Sequence, residues 1–144
     1  MMKTDQIDRQ VNILLVDDEP DAYLVLKLTM KKVKSPLINL DYVSDIGSAV
    51  DCVKEDHIDI ILLDNRLLPN NDFRETAPQL RRAGYLGPIG IVSSDISGSY
   101  FEAFQEFGVD FRIGKDEIDG AAISFIISEY TKDQLSDECA EDFK

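Results

Sequence analysis

Positive charge is scarce in this chain. Its 144 residues carry 15 Lys and Arg against 28 Asp and Glu, a net charge of −13. A nucleic-acid binder needs a basic footprint to meet phosphate, so the balance argues against one, and against an anionic membrane surface too. Histidine is rarer still: His57 stands alone, in the polar turn Glu55-Asp56-His57. A Ser-His-Asp triad or a multi-histidine metal site would have to be built around it, and it reads as a surface residue. Cys52 and Cys139 lack metal-ligand spacing and read as free thiols in a reducing cytoplasm. No apolar run approaches the length of a bilayer, and Met1-Met2-Lys3-Thr4-Asp5 lacks the apolar core of a signal peptide. Neither a Gly-x-Gly-x-x-Gly run nor a Gly-Lys-Ser/Thr loop occurs, which argues against a nucleotide-binding domain. Internal repeats and low-complexity linkers are absent as well.

What is present fits one domain with one core, and 44% hydrophobic residues is ordinary for a globular chain. Strand and helix signals alternate. Residues 11–16 read as a strand. Pro20 opens a helix, as its fixed φ suits the first helical position, and the pattern predicts it over 20–33, stopped by Ser35-Pro36. A second strand is expected over 37–43, then a helix over 46–54 capped by Ser44 or Asp45. Residues 58–63 are apolar at nearly every position, as in a parallel sheet covered on both faces. A polar loop over 65–71 leads to a helix over 72–83, which Pro78 is expected to kink or shift. The fourth strand falls at 89–92, a short helix at 98–107 and the fifth strand at 109–113. A last helix starts at Asp116 or Asp119 and runs through Tyr130, leaving 131–144 as a frayed helix end and tail. These units imply an α/β fold, a doubly wound five-stranded parallel sheet between two helical layers. The expected organisation is an extension at 1–10, the domain at 11–131 and an acidic tail at 132–144.

Two strands end on carboxylates. Asp64 follows Ile58-Asp59-Ile60-Ile61-Leu62-Leu63, and Asp17-Asp18 follow Asn12-Ile13-Leu14-Leu15-Val16. Acids so placed stand at the carboxyl edge of the sheet, where open α/β folds bind ligands. Three converging there are a poor structural device and a good hard-cation site. Ser93 and Lys115 end two later strands. In the reading that joins all five, Asp64 is a nucleophile that carries a phosphoryl group. Mg²⁺ held by Asp18 and Asp64, with Asp17 acting through water, offsets the repulsion between the anions. Lys115 pairs with one phosphoryl oxygen and the Ser93 hydroxyl donates to another. The main-chain N–H groups of Asn65 and Ser94 complete the cradle. Each piece alone has a plainer explanation: a surface lysine, a turn serine, an acidic pair that caps a helix near its positive end. The order acid pair, acid, hydroxyl, lysine, each ending its own strand, is the specific signal.

On these residues the chain resembles the receiver domain of two-component response regulators over about residues 12–130. The matching pieces are Ile13-Leu14-Leu15-Val16-Asp17-Asp18-Glu19-Pro20, Asp59-Ile60-Ile61-Leu62-Leu63-Asp64, Pro88-Ile89-Gly90-Ile91-Val92-Ser93-Ser94, and Gly108-Val109-Asp110 on to Lys115. The resemblance implies a flavodoxin-like sheet, Asp64 as phosphate acceptor, Asp17 and Asp18 as metal acids, the Arg66 carbonyl as main-chain metal ligand, Ser93 as switch hydroxyl and Lys115 as phosphate-sensing lysine. It implies Mg²⁺ as cofactor and a phosphohistidine donor on a sensor histidine kinase or histidine phosphotransfer protein. The expected role is a stand-alone, non-enzymatic receiver, with at most slow self-dephosphorylation, that signals to a downstream protein target. Phosphorylation is expected to draw Ser93 inward and rearrange residues 94–100 and the helix after them.

Three departures from the family pattern stand out. Arg112 occupies the position, three before Lys115, where receivers commonly carry the aromatic that swings with the hydroxyl; Tyr100 or Phe101 is a substitute or a packing residue. Asp116 follows Lys115 where the family has a proline on a cis bond. A non-proline cis bond costs about 3–4 kcal/mol, so that loop is strained or takes another path. The loop after Asp64 is one residue longer before Pro69. Arg66 and Asp95, at positions that tune phosphate lifetime in the family, either pair across the site or are two exposed charges.

The first helix carries more apolar residues than covering a sheet requires. Tyr23, Leu26, Met30 and Val33 form one stripe, and Leu24, Val25 and Leu28 fall largely outside it. A wide stripe over the sheet edge is one explanation. A docking patch for a helical phosphotransfer partner, centred on Leu24 and Leu28 and rimmed by Lys27, Lys31 and Lys34, is the other. Two rival functions remain. A haloacid-dehalogenase-type hydrolase would want Asp-x-Asp after the first strand, and Asp17-Asp18-Glu19 does not provide it. A pseudo-receiver that signals without phosphate is kept open by Arg112, Asp116 and the long loop.

Overall fold

A computed structural model describes residues 10–34 and 36–142, with side chains through 131. Residues 1–9 of the expected 1–10 extension, Ser35 and the Cys139 thiol lie outside the described residues. The element order is β1 (Gln10–Val16), α1 (Pro20–Met30), β2 (Leu37–Val43), α2 (Ile46–Glu55), β3 (Ile60–Asp64), α3 (Phe73–Arg82), β4 (Ile89–Ser93), a 3-10 helix (Ser99–Phe107), β5 (Phe111–Gly114), a short 3-10 turn (Lys115–Glu117) and α4 (Gly120–Asp142). All the strand pairs are parallel, in the order β2-β1-β3-β4-β5. The order reverses between β1 and β3, which opens a crevice at their carboxyl ends.

Alternation along the strands divides the core. Leu14 and Val16 of β1, Ile61 and Leu63 of β3, and Ile89 and Ile91 of β4 face α2, α3 and the 3-10 helix. Ile13, Leu15, Ile60, Leu62 and Val92 face α1 and α4. Burial of each such side chain contributes about 1.5–3 kcal/mol, so the central strands are the rigid base from which the crevice residues project. Gly90 serves this packing: a Cβ there would lie 2.1 Å from the Phe111 ring, which crosses over it.

Several boundaries differ from expectation. α1 stops at Met30, and its end tightens into i→i+3 bonds from Lys32 to Thr29 and from Val33 to Met30. β3 begins at Ile60, because Asp59 works ahead of the strand: its N–H donates to the Asn12 carbonyl and its carboxylate accepts from the Asn12 N–H, both at 2.8 Å. His57, exposed as expected, pairs with Asp59 at 2.8 Å. α2 takes Asp45 rather than Ser44 as its cap, on the N–H of Ser48. α3 continues through Pro78.

The helix expected at 98–107 is a 3-10 helix, interrupted by Ala103 at φ −102°, ψ 24°. Phe101, Phe104 and Phe107 recur every third residue, the spacing that three residues per turn aligns on one edge. Phe73 meets Phe101 and Phe107 there, with ring centroids 5.4 and 5.9 Å away. The last helix starts after Asp119, whose carboxylate accepts from the N–H of Ala122, and Asp116 lies in the 3-10 turn instead. It runs on to Asp142 rather than fraying at Tyr130, since no Gly or Pro follows Gly120 to break it.

Candidate functional site

The parallel sheet delivers the strand ends to one place. Asp17 follows β1 and is 1% exposed. Its N–H donates to the Val43 carbonyl at 3.1 Å, and its Oδ1 accepts from the N–H of Glu19 at 2.9 Å. That bond holds the carboxylate at the mouth of α1. Asp64, the last residue of β3, is buried, and Asp18 is exposed. Carboxylate oxygens of Asp17, Asp18 and Asp64 lie within 4.8 Å of one another. Lys115 closes the group, with Nζ 3.4 Å from Asp17 and 3.7 Å from Asp64.

Three carboxylates packed this closely repel. Burial and the Asp17 charge push Asp64 up to about 7, with Asp18 adding to the rise, against the pull of Lys115 and a hydrogen bond from the N–H of Arg66. Burial would lower Lys115, but the charges of Asp64 and Asp17 outweigh it and hold the amine above its ordinary value. Such a site favours anything that brings positive charge to it. Hard oxygen donors in this number suit a hard divalent cation.

Above the acids is a cleft of about 550 Å³, bordered by Asp18, Asp64, Arg66, Ser93, Tyr100 and Lys115. The Ser93 hydroxyl donates to the Asp95 carbonyl at 3.1 Å, inside its own turn. Asp95 and Arg66 are both exposed and form no ion pair with each other. Asp95 accepts instead from the N–H and hydroxyl of Ser97, which hold its carboxyl below the usual range. The Lys115–Asp116 bond is trans, so the chain takes the other path and turns through the Lys115–Glu117 helix.

One expected donor is occupied. The N–H of Asn65 donates to the Val92 carbonyl at 3.0 Å as part of the β3–β4 ladder, so it is not available to a ligand. Asn65 is buried just past the end of β3, and this bond carries the pairing one residue beyond Asp64. The Asn65 side chain escaped sequence reasoning altogether. Its amide spans from the N–H of Phe73 to the Tyr100 hydroxyl, contacts too distant in sequence to leave a local signal. Arg112 is exposed and lies over the Phe101 and Phe104 rings, its carbon 5.9 and 5.8 Å from their centroids.

On α1, Leu26 and Met30 are buried against the sheet, whereas Leu24, Val25 and Leu28 are 54%, 64% and 62% exposed. The covering stripe therefore leaves the second apolar set in solvent. Lys27, Lys31 and Lys34 are exposed beside it. A groove of about 280 Å³ runs from Val25, Leu26 and Thr29 to Ile118 and reaches Asp17 and Lys115. Among the described residues no helix is long and apolar enough to cross a membrane.

A family model for the response regulator receiver domain matches residues 13–124. The chain is 30% identical over 109 residues to the autoinducer 2 sensor kinase/phosphatase LuxQ of Vibrio parahaemolyticus, covering 75% of this chain and 12% of that protein. Its fold is similar to the signal receiver domain of a putative LuxO repressor protein from the same species, with TM-score 0.74, 15% identity, and 92% and 98% of the two chains covered. It is also similar to the receiver domain of a sensor histidine kinase from Pseudomonas aeruginosa, with TM-score 0.69, 21% identity, and 85% and 98% covered. That structure has a magnesium ion coordinated in its active-site cleft.

Proposed function

Because the chain belongs to the response regulator receiver domain family of two-component signalling, we propose that Asp64 accepts a phosphoryl group from a phosphohistidine on a sensor histidine kinase or histidine phosphotransfer protein. One observation carries this reading: three carboxylates and a lysine amine, from three separate strand ends, meet within a few ångströms. A carboxylate oxygen of Asp64 attacks phosphorus, the bond from phosphorus to the donor imidazole nitrogen breaks, and the electron pair leaves with the imidazole. Asp17, Asp18 and Asp64, with the Arg66 carbonyl, would hold Mg²⁺, which supplies the charge that offsets repulsion between the two anions. Lys115 already stands beside the acceptor, where it can meet an added phosphoryl oxygen. Ser93 lines the same cleft and would exchange the Asp95 carbonyl for another phosphoryl oxygen.

The donor protein would dock on the exposed Leu24 and Leu28 and the groove beside α1. That groove shares Asp17 and Lys115 with the site, so a partner seated there brings its phosphohistidine to Asp64. The exposed lysines of α1 would rim the contact. The charged receiver then signals through a downstream protein rather than by turnover of a substrate.

Incubation with acetyl phosphate and Mg²⁺, followed by intact-mass measurement, should show one phosphoryl adduct. It should be absent from Asp64→Asn and abolished by EDTA. Metal binding without an adduct, from acetyl phosphate or from a phosphohistidine donor, would instead establish a receiver that signals without phosphate.

A further inference from the structure

We propose that the hydrogen bond between Asn65 and Tyr100 is a latch through which the acceptor site controls the Ser99–Phe107 helix. The inference rests on phosphoryl acceptance by Asp64 and identifies how that event leaves the cleft. Asn65 follows the acceptor directly and is 2% exposed. Its amide is engaged at both ends: Nδ2 donates to the Tyr100 hydroxyl at 2.7 Å, and Oδ1 accepts from the N–H of Phe73 at 3.2 Å. The amide therefore has one orientation, with the tyrosine attached to it.

The Tyr100 ring transmits what happens at its hydroxyl. It stacks on Phe101 at 4.6 Å and on Phe73 at 5.8 Å, and the Arg74 guanidinium lies over it at 4.7 Å. Phe101 and Phe73 are fully buried, so the ring joins the cleft wall to the core beneath the 3-10 helix. That helix is irregular. Its two short 3-10 pieces meet at Ala103, whose φ of −102° and ψ of 24° are not helical, and mid-helix departures of this kind mark hinges. It is held from outside, by Asn65 at its start and by Arg112 over Phe101 and Phe104.

Arg112 has no ring to follow Ser93 inward. Tyr100 is the aromatic that borders the cleft together with Asp64, Ser93 and Lys115. When a phosphoryl group draws Ser93 off the Asp95 carbonyl, residues 94–98 move, and they lead directly into Ser99. The Asn65–Tyr100 bond then breaks and the helix is released. A bond present only in the resting state opposes the change. Its removal should favour the activated state by about two- to tenfold, the worth of one hydrogen bond.

Tyr100→Phe deletes the hydroxyl and keeps the ring. Beryllofluoride with Mg²⁺, a mimic of the phosphoryl group, is titrated into wild type and variant, and the amide shifts of residues 94–107 are followed by NMR. The latch predicts beryllofluoride binding about two- to tenfold tighter in Tyr100→Phe, with its resting shifts moved toward those of the beryllofluoride-bound wild type. Tyr85→Phe, which removes a hydroxyl bonded to the Pro88 carbonyl far from the cleft, should change neither. Unchanged or weaker binding, with wild-type resting shifts, overturns the latch while leaving phosphoacceptance intact. A wild-type protein that binds no beryllofluoride and takes no phosphoryl group overturns both.

Discussion

Lys115 leans on Asp17 slightly more than on Asp64, with Nζ 3.4 Å from the first and 3.7 Å from the second. Asp17 is the most deeply buried of the three acids and cannot turn to solvent, because the N–H of Glu19 holds it. The amine is thus a counter-charge to the whole acidic group as well as a candidate phosphate ligand. The two roles separate experimentally.

Lys115→Ala leaves the carboxylates facing one another without compensation. Metal-free protein should lose about 1–3 kcal/mol in urea denaturation, less than a fully buried pair would cost because the lysine is part exposed. Saturating Mg²⁺ should restore most of that loss while phosphorylation by acetyl phosphate stays impaired. Equal destabilisation with and without Mg²⁺ would show that the lysine does not compensate the acids.

The raised pKa of Asp64 sets a pH dependence. A carboxyl at about 7 in the folded chain and about 3.9 in the unfolded one leaves the folded state with more bound protons between those values. Stability of metal-free protein should therefore fall as pH rises from about 4 to 7 and level off above. Asp72 and Asp95 are shifted downward and so act only below about pH 4. Melting temperatures in EDTA across this window should show the decline, and Asp64→Asn should flatten it.

Arg81 ties three segments at the amino end of the sheet. Its guanidinium donates to the carbonyls of Tyr85, Gly87 and Gly108 and to the Asp110 carboxylate, all at 2.7–3.0 Å. Arg81→Ala should cost about 2–4 kcal/mol, since it strips partners from several part-buried carbonyls, and Arg81→Lys should not rescue it, lacking the planar fork. Gly108→Ala should also destabilise: φ is +85°, and its Cβ would lie 2.8 Å from Arg81 Cγ. Denaturant midpoints check both, with Mg²⁺ affinity unchanged in each.

Leu24→Asp and Leu28→Asp test the docking face. Both side chains are mostly in solvent, so stability should change by no more than about 0.5 kcal/mol. Phosphorylation by acetyl phosphate should be unaffected, and the rate of transfer from a phosphohistidine protein should fall by about tenfold or more. Equal transfer rates would move the docking site off α1.

Much of the fold was legible because the sheet is parallel and covered on both faces. Runs such as Ile60-Ile61-Leu62-Leu63 admit few other interpretations, and a strand-end acid has one edge to go to. The less legible parts depend on contacts distant in sequence. The Asn65 amide reaches a hydroxyl 35 residues away, and the Asp59 carboxylate reaches an N–H 47 residues back. The 3-10 geometry of Ser99–Phe107 was visible only as three phenylalanines in every third place, a pattern an α-helix also tolerates. The rings they meet include Phe73, from another element.

The order of apolar and acidic residues was sufficient by itself to determine the doubly wound sheet and the company of Asp17, Asp18, Asp64, Ser93 and Lys115 along its edge. Tertiary structure decided which of their hydrogen-bonding groups remain free: the Asn65 N–H went to the ladder, Ser93 to its own turn, Asp95 to Ser97, and Tyr100 to Asn65. Periodicity fixes the direction in which a side chain leaves the backbone. Only the packed chain settles which of several donors and acceptors within reach will pair, because that choice turns on differences of a few tenths of an ångström and about 1 kcal/mol.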